Sequence, residues 1–153
     1  MKQKQLSKSD IKEINEQSKK FGIEIDKKDK AVLVEAETRI ILVNEVPTMF
    51  YYDERIVPII RAIKNTSDFP NKAVVDMPAV KFMVSGADVM RPGIKEMTEF
   101  KKDDLVLIVD QNNKKPLCIG IALYDSSEIG RMEKGRVIKN IHYVGDRIWN
   151  FSL

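Results

Sequence analysis

The stretch from Val84 to Gly93 constrains the fold more than any other part of the sequence, because it combines two glycines and one proline with a single arginine. Gly86 suits the left-handed conformation that ends a helix, where a side chain would cost about 1–2 kcal/mol. Pro92 followed by Gly93 predicts a turn, since proline fixes one dihedral angle and glycine permits a positive φ at the next. The pattern predicts an exposed corner between a short helix and a strand. Such a corner is either a purely structural turn or a place where a ligand approaches the main chain.

The composition is that of a soluble globular protein, with 43% hydrophobic and 32% charged residues. No apolar run reaches the length of a membrane span, and the lysine-rich start lacks the apolar centre of a signal peptide. We therefore expect a cytoplasmic protein without a membrane partner. The net charge of +3 is too small to indicate nucleic-acid binding by bulk charge, so such binding would need a local patch.

The first part of the chain predicts a helix followed by short strands. Ser7 and Asp10 form a capping-box-like pair at the start of the helix, and Gly22 ends it. An apolar stripe along this helix includes Ile11, Ile14 and Phe21. Strand-like runs follow at residues 21–25, 31–36, 39–43 and 45–52.

Two prolines qualify this pattern. Pro47 lies in the run 45–52 and predicts an edge strand or an irregular segment, because proline cannot donate a ladder hydrogen bond. Pro58 suits the first turn of a helix that would direct Ile59, Ile60 and Ile63 inward.

The polar, turn-forming stretch from Asn65 to Asn71 predicts a domain boundary, with domains at residues 1–70 and 71–153. In the second domain, Asp76 caps a short helix whose first turn contains Pro78, and Met77 is expected on its apolar face. Strands are predicted at residues 73–75, 94–97, 105–109, 117–124, 135–142 and 147–151, with a bend or bulge at Gly120. This spacing predicts a small closed or nearly closed β-barrel.

Several motifs in this second domain resemble the PUA domain, a module named for pseudouridine synthases and archaeosine transglycosylases. The run from Ala79 to Gly93 is similar to its opening, and the run from Ile141 to Trp149 to its closing strands. Between them, residues 102–106, 119–122 and 135–139 follow in the family's order. The resemblance implies an α+β protein: a small N-terminal α+β domain followed by a PUA-type β-barrel with one short helix at its mouth.

Two shorter segments, residues 82–87 and 140–143, are especially similar to the malignant-T-cell-amplified family of ribosome-associated PUA proteins. That family carries an additional pre-PUA domain before the PUA domain. The resemblance implies an RNA-binding protein that acts on tRNA or the small ribosomal subunit in translation. The resemblance also implies a translation factor or an RNA-modifying enzyme as a candidate partner protein. Some relatives carry a further initiation-factor-type domain, which these 153 residues lack, so we expect initiation activity only with a partner.

The resemblance places RNA in a groove between the short helix, the corner and the last strands. Basic side chains there suit phosphates, the two glycines allow close approach, and Ser85 offers a hydrogen bond. Met90 and His142 suit packing against a base or ribose, although core packing explains Met90 equally well. The complete predicted set is Lys81, Ser85, Gly86, Ala87, Met90, Arg91, Pro92, Gly93, His142 and Arg147.

An enzymatic function is not expected. Cys118 and His142 could act as a nucleophile and a base, but Cys118 lies in an apolar run and His142 lacks a clear acidic partner. As the only cysteine, Cys118 excludes an intramolecular disulfide and a multi-cysteine zinc site. We therefore expect no catalytic residues, no metal and no cofactor.

The alternative function is that of an accessory subunit in an RNA-modification complex, acting mainly through protein–protein contacts. It would dock through the apolar stripe of the first helix or through the segment from Phe50 to Tyr52. An exposed apolar patch around these residues would favour this alternative.

Overall fold

The computed structural model describes residues 1–153. The protein is mostly strand with three short helices, which confirms the predicted α+β class. It consists of two compact units, one formed by Met1–Asp68 with Phe151–Leu153 and the other by Phe69–Asn150. Independent folding of domains 1–70 and 71–153 stays a prediction. The helices are all too short and too polar to cross a lipid bilayer.

The first unit contains one antiparallel sheet with the strands in sequence order. Its elements are β1 (Lys2–Gln5), α1 (Lys8–Ser18), β2 (Ala31–Glu35), β3 (Arg39–Val43), β4 (Val46–Tyr52) and β5 (Arg55–Pro58). Short 3₁₀ turns occupy Lys19–Phe21, Ile60–Ala62 and Thr66–Asp68. A core on the sheet includes Leu6, Ile14, Ile41, Met49 and Ile56. β1 was not predicted, because its four residues are polar and exposed and only main-chain pairing with β2 makes them a strand.

The predicted start of α1 is confirmed. The Ser7 hydroxyl accepts a hydrogen bond from the Asp10 amide at 3.0 Å, and the Asp10 carboxylate accepts one from the Ser7 amide at 3.0 Å. This reciprocal pair satisfies two main-chain donors that a helix start leaves open. Gly22 has a φ of 78° and ends the helical segment after the 3₁₀ turn.

The strand predicted at residues 21–25 is wrong. Phe21 belongs to the 3₁₀ turn, and the chain beyond it is irregular. The Asn15 side chain binds the main chain of Ile25 on both sides, donating to its carbonyl at 3.0 Å and accepting from its amide at 2.8 Å. A side chain thus takes the hydrogen bonds that a neighbouring strand would have provided.

The predictions made from the two prolines also need correction. Pro47 lies in β4, which is an interior strand between β3 and β5, because an irregular register opposite Ile41 and Leu42 accommodates the missing donor. Pro58 ends β5, and only a 3₁₀ turn follows instead of a helix. Ile59 and Ile60 are buried as expected.

The second unit contains six strands in the order β7-β11-β10-β9-β6-β8, and the sheet curls into a half-barrel. Its elements are β6 (Lys72–Val75), α2 (Met77–Met83), β7 (Val89–Met90), β8 (Ile94–Met97), β9 (Leu105–Asp110), β10 (Pro116–Ala122), α3 (Ser126–Arg131) and β11 (Arg136–Tyr143). Only β6 and β9 pair in parallel. The register shifts at Gly120, which confirms the predicted bulge.

The sequence predicted the start of α2 correctly. The Asp76 carboxylate accepts a hydrogen bond from the Ala79 amide at 3.0 Å, and Pro78 lies in the first turn. Met83 is buried, but Met77, which was expected on the apolar face, is 39% exposed and so lies outside the core. The other helix of this unit, α3, was not predicted.

The strand predicted at residues 147–151 is wrong, because the chain folds into turns after β11. The Asp146 carboxylate accepts hydrogen bonds from the Trp149 amide at 2.7 Å and from the Tyr143 amide at 2.9 Å. These bonds close a turn around one side chain, which removes the extended conformation that a strand needs.

The corner between α2 and β8 contains both predicted glycines, but only one is left-handed. Gly86 has a φ of 96°, as expected for a residue that ends a helix. Gly93 closes the predicted turn as a 3₁₀ turn at Arg91–Gly93, without the positive φ that glycine would permit there. A Cβ on Gly86 would lie 3.0 Å from the Tyr143 ring, whereas one on Gly93 would lie 3.4 Å from the Ala79 Cβ.

We therefore expect the two glycines to differ in their effect on stability. Gly86→Ala should lower the free energy of unfolding by about 1–2 kcal/mol, because alanine is strained at a positive φ. Gly93→Ala should leave it unchanged or raise it by up to about 1 kcal/mol, since it restricts only the unfolded chain. Urea unfolding of both variants beside the parent measures this difference. Equal losses of stability in the two variants would contradict the conclusion that only Gly86 requires a left-handed conformation.

Candidate nucleic-acid interface

A groove of about 590 Å³ opens beside α2 in the second unit, and we call it the α2 groove. Its walls come from the end of β6, one face of α2, the corner after it and the first residue of β11. The lining residues are Val75, Asp76, Pro78, Ala79, Phe82, Met83, Ala87, Asp88, Val89, Met90, Gly93 and Arg136. Of the predicted site residues, it brings together Ala87, Met90 and Gly93.

The walls of the α2 groove carry apolar side chains that face solvent. Phe82 is 52% exposed and Met90 is 50% exposed, and both line the groove. With Met77 they make up half of the six large hydrophobic side chains that are exposed in the whole chain. Met90 is therefore not packed in the core. A concentrated exposed apolar surface is typical of a binding site.

The corner that forms one wall is held to β11 by Asn140. Its side-chain amide donates to the carbonyl oxygens of Met83 and Ala87, each at 3.0 Å. Its main-chain amide donates to the Asp88 carboxylate at 2.9 Å. Three hydrogen bonds from one residue thus fix the main chain around Gly86.

The charged groups of the α2 groove were missed by the sequence analysis. Arg136 pairs with Asp88 at 3.2 Å, and the Arg136 side chain is 61% exposed. Asp76 contributes a second carboxylate at the first end of α2, where its amide donates to the carbonyl of Gly93 at the end of the corner. The glycine-rich motif drew attention to neighbouring positions, but only the pairing of β7 with β11 brings Arg136 to the groove.

Arg91 is placed differently from the prediction. Its guanidinium Nε donates to the Ile129 carbonyl at 2.7 Å, and Nη1 donates to the Ile94 carbonyl at 3.3 Å. These bonds connect α3 to the start of β8. The side chain therefore has a structural task within the fold and does not line the groove.

The other predicted residues of α2 and the corner lie beside the α2 groove without lining it. Lys81 is exposed, and its amine lies 5.3 Å from the centre of the Phe82 ring. The exposed Ser85 hydroxyl donates to the Phe82 carbonyl at 3.0 Å. Gly86 and Pro92 shape the main chain on either side of the corner.

His142 and Arg147 lie at the far end of β11. His142 is fully buried, and its Nδ1 is 2.9 Å from the Asp146 carboxylate. Asp146 is therefore the acidic partner that could not be identified from the sequence alone. Burial alone would raise the pKa of Asp146, but hydrogen bonds from His142 and the Trp149 amide outweigh it and lower that pKa. His142 is thereby part of the fold's interior, out of reach of a base or ribose. Arg147 is exposed on the turn that follows.

Cys118 is completely buried on β10. Burial raises the pKa of its thiol far above the usual range, and the charge of Asp88 adds to the rise. The thiol therefore stays protonated and is a poor nucleophile at neutral pH. No group of three or more His, Cys, Asp and Glu side chains is arranged to hold a metal ion.

The two surfaces that the protein-docking alternative would use, the apolar stripe of α1 and the segment from Phe50 to Tyr52, are mostly buried. Ile14 and Phe21 of the α1 stripe are 1% and 3% exposed, and Phe50 is 1% exposed. Tyr51 is half-buried under Arg39, whose guanidinium carbon lies 4.3 Å from the ring centre. These residues do not form the exposed apolar patch that the protein-docking alternative requires.

A second groove, which we call the α1 groove, has a volume of about 750 Å³ in the first unit. It is lined by Lys8, Ile11, Lys12, Asn15, Glu16, Lys19, Glu24, Ile25, Asp26 and Lys27. Its four lysines are accompanied by three acidic residues, so the net charge of the α1 groove is close to zero. This balance is less suited to phosphates than a basic patch.

Comparison with known sequences finds two families along the chain. The family described as PUA domain matches residues 71–144, and the domain of unknown function DUF1947 matches residues 2–66. An uncharacterized protein of Methanocaldococcus jannaschii is 40% identical, covering 96% of this chain and 94% of its own length.

Two named eukaryotic relatives are more distant. Translation machinery-associated protein 20 of Eremothecium gossypii is 30% identical over 84% of this chain and 76% of its own length. Malignant T-cell-amplified sequence 1 of Rattus norvegicus is 29% identical over 82% of this chain and 73% of its own length.

Solved structures are similar in fold. A hypothetical protein of Pyrococcus horikoshii has a TM-score of 0.84 at 38% identity, covering 97% of this chain and 98% of that one. A chain in the archaeal box H/ACA sRNP Nop10-Cbf5 complex has a TM-score of 0.50 at 25% identity, covering 65% of this chain and 31% of that one.

The placement of Arg91 leads to a stability prediction. Arg91→Ala should lower the free energy of unfolding by about 1.5–3 kcal/mol, because it removes charge-assisted hydrogen bonds to two carbonyl groups. Arg131→Ala, which removes the same charge from the exposed end of α3, should change it by less than about 0.5 kcal/mol. Urea denaturation measures both. An Arg91→Ala variant as stable as the parent would argue against this bracing role.

Proposed function

This chain belongs to the family of PUA-domain proteins that carry an N-terminal DUF1947 region, and from this membership we propose that it binds RNA through the α2 groove. Relatives in this family include translation machinery-associated protein 20 and malignant T-cell-amplified sequence 1. The observation that carries the proposal is the exposure of Phe82 and Met90 beside the cation of Arg136.

The chemistry of the α2 groove matches single-stranded RNA. Specific RNA recognition mostly targets unpaired bases, which stack on aromatic side chains and offer their edges for hydrogen bonds. Phe82 provides such an aromatic face, and the flexible Met90 side chain adapts to a flat ring.

We assign the phosphate contacts to Arg136, which the sequence did not indicate, and to Lys81, which it did. Arg136 reaches the α2 groove, and its surface ion pair with Asp88 is weak enough for a phosphate to compete. Lys81 is exposed on the neighbouring face of α2 and provides a second cation. Arg91 instead braces α3 and β8, so we assign it no phosphate contact.

The biological setting follows from the relatives. Translation machinery-associated protein 20 is named for its association with the translation machinery. We therefore place this protein in translation in the cytoplasm, bound to tRNA or to RNA of the small ribosomal subunit. The similarity to a chain of an archaeal box H/ACA sRNP supports an RNA partner more generally. We infer a binding function without catalysis, since the protonated Cys118 leaves the suggested nucleophile inactive.

The proposal predicts that two variants weaken RNA binding in different ways. Phe82→Ala should reduce the affinity for single-stranded RNA by about fivefold or more without changing its salt dependence, because it removes base stacking. Arg136→Ala should also weaken binding, and it should reduce the slope of log affinity against log salt by about 0.7 through loss of one phosphate contact. Fluorescence anisotropy at several salt concentrations measures both quantities.

Arg131→Ala is the matched control for Arg136→Ala, since it removes an equal charge from a residue that does not line the α2 groove. It should leave the affinity close to that of the parent. If the parent binds RNA and both groove variants bind it equally well, the RNA site lies elsewhere. If the parent binds no RNA, the proposed function is wrong.

A further inference from the structure

The α2 groove contains a carboxylate that neither stacking nor phosphate binding uses. One oxygen of Asp76 accepts the Ala79 amide at 3.0 Å, and the Asp76 amide itself donates to the Gly93 carbonyl at 2.9 Å. The second carboxylate oxygen has no hydrogen-bond partner in the structure, although Asp76 lines the groove. Asp76 thus offers the groove an open, charged acceptor.

The other acidic residue of the α2 groove is already engaged. One oxygen of Asp88 accepts the Asn140 amide at 2.9 Å, and the other pairs with Arg136 at 3.2 Å. Asp76 has no cation paired with it. The remaining lining groups near Asp76 include the apolar side chains of Pro78 and Ala79, which cannot satisfy an acceptor.

We propose that Asp76 selects an unpaired nucleobase that carries an exocyclic amino group, by accepting a hydrogen bond from that group. This inference rests on the proposed RNA-binding function of the α2 groove. An ionised carboxylate is an acceptor only. Adenine, cytosine and guanine present an amino group on their pairing edge. Uracil presents carbonyl oxygens there instead, and at the position of the cytosine amino group its carbonyl oxygen repels a carboxylate.

The surroundings make this selection effective. Apolar walls exclude water from a bound base, and a hydrogen bond to a charged group is stronger in such an environment than in bulk water. A base that places a carbonyl oxygen against the carboxylate would leave the carboxylate desolvated and unpaired, which costs more than the lost hydrogen bond alone. Phe82 stacks on the ring of the base, and Asp76 contacts the hydrogen-bonding groups on the edge of that ring.

The position of Asp76 as helix cap allows a clean substitution. Asparagine and serine cap helices about as well as aspartate, so Asp76→Asn and Asp76→Ser should both keep α2 folded. In Asp76→Asn the amide oxygen can retain the Ala79 contact, which turns the amide NH₂ donor toward the groove. A donor repels an amino group and binds a carbonyl oxygen, so the preference should reverse. In Asp76→Ser the groove loses the charged group, so the preference should disappear.

The test compares short single-stranded oligo(C) and oligo(U) of equal length, because the two bases have the same ring size. Fluorescence anisotropy at one salt concentration should give the parent an affinity for oligo(C) about tenfold or more above that for oligo(U). Asp76→Asn should favour oligo(U), and Asp76→Ser should bind the two about equally. Asp53→Asn removes an equal charge from an exposed turn of the first unit and should keep the parent's ratio.

A parent that binds both oligonucleotides with equal affinity would overturn the inference while leaving RNA binding by the α2 groove intact. The same holds if both folded Asp76 variants keep the parent's ratio. A parent that binds neither oligonucleotide overturns the proposed function and this inference together. Circular dichroism melts of each variant confirm that the proteins compared are folded.

Discussion

The α2 groove depends on the hydrogen bonds by which Asn140 holds the corner after α2 against β11. Val84 and Val89 of the corner pack on the core, while Gly86 between them adopts a left-handed conformation. The bonds from Asn140 to Met83, Ala87 and Asp88 tie this main chain to β11. The Asn140 side-chain oxygen is buried without a partner, which is a cost in stability. A groove wall is thus positioned by polar contacts together with core packing.

Arg91 and Arg136 make different contacts because of the same geometry. Both arginines lie close to the corner in the folded chain, yet Arg91 uses its guanidinium on main-chain carbonyls and Arg136 keeps most of its side chain in solvent. Replacing an arginine that donates hydrogen bonds within the fold lowers the stability of the protein, and such an arginine contributes little to ligand binding. An exposed arginine in a weak ion pair can exchange its carboxylate partner for a phosphate. Proximity to a glycine-rich motif therefore does not identify the binding cation.

Local sequence signals predicted a large part of the fold. The caps at Ser7 and Asp76 and the helix end at Gly86 depend on residues within a few positions of one another, and the bulge at Gly120 was indicated by the glycine itself. The errors arise where a distant or unusual partner takes the main-chain hydrogen bonds. Asn15 replaces a strand neighbour at Ile25, and the Asp146 side chain closes a turn where a strand was expected. The sequence indicated α2 and the corner after it, which line the α2 groove, but the position of Arg136 in the groove depends on the pairing of β7 with β11.

An amide NMR titration of the full chain with single-stranded RNA shows whether RNA occupies the α2 groove. With RNA in this groove, chemical-shift changes should be concentrated in residues 76–93 and 135–140, with the largest near Phe82 and Arg136. Residues of α1 should change little. Shifts concentrated instead on the lysines and acidic residues of the α1 groove, with the α2 groove unaffected, would contradict RNA binding in the α2 groove.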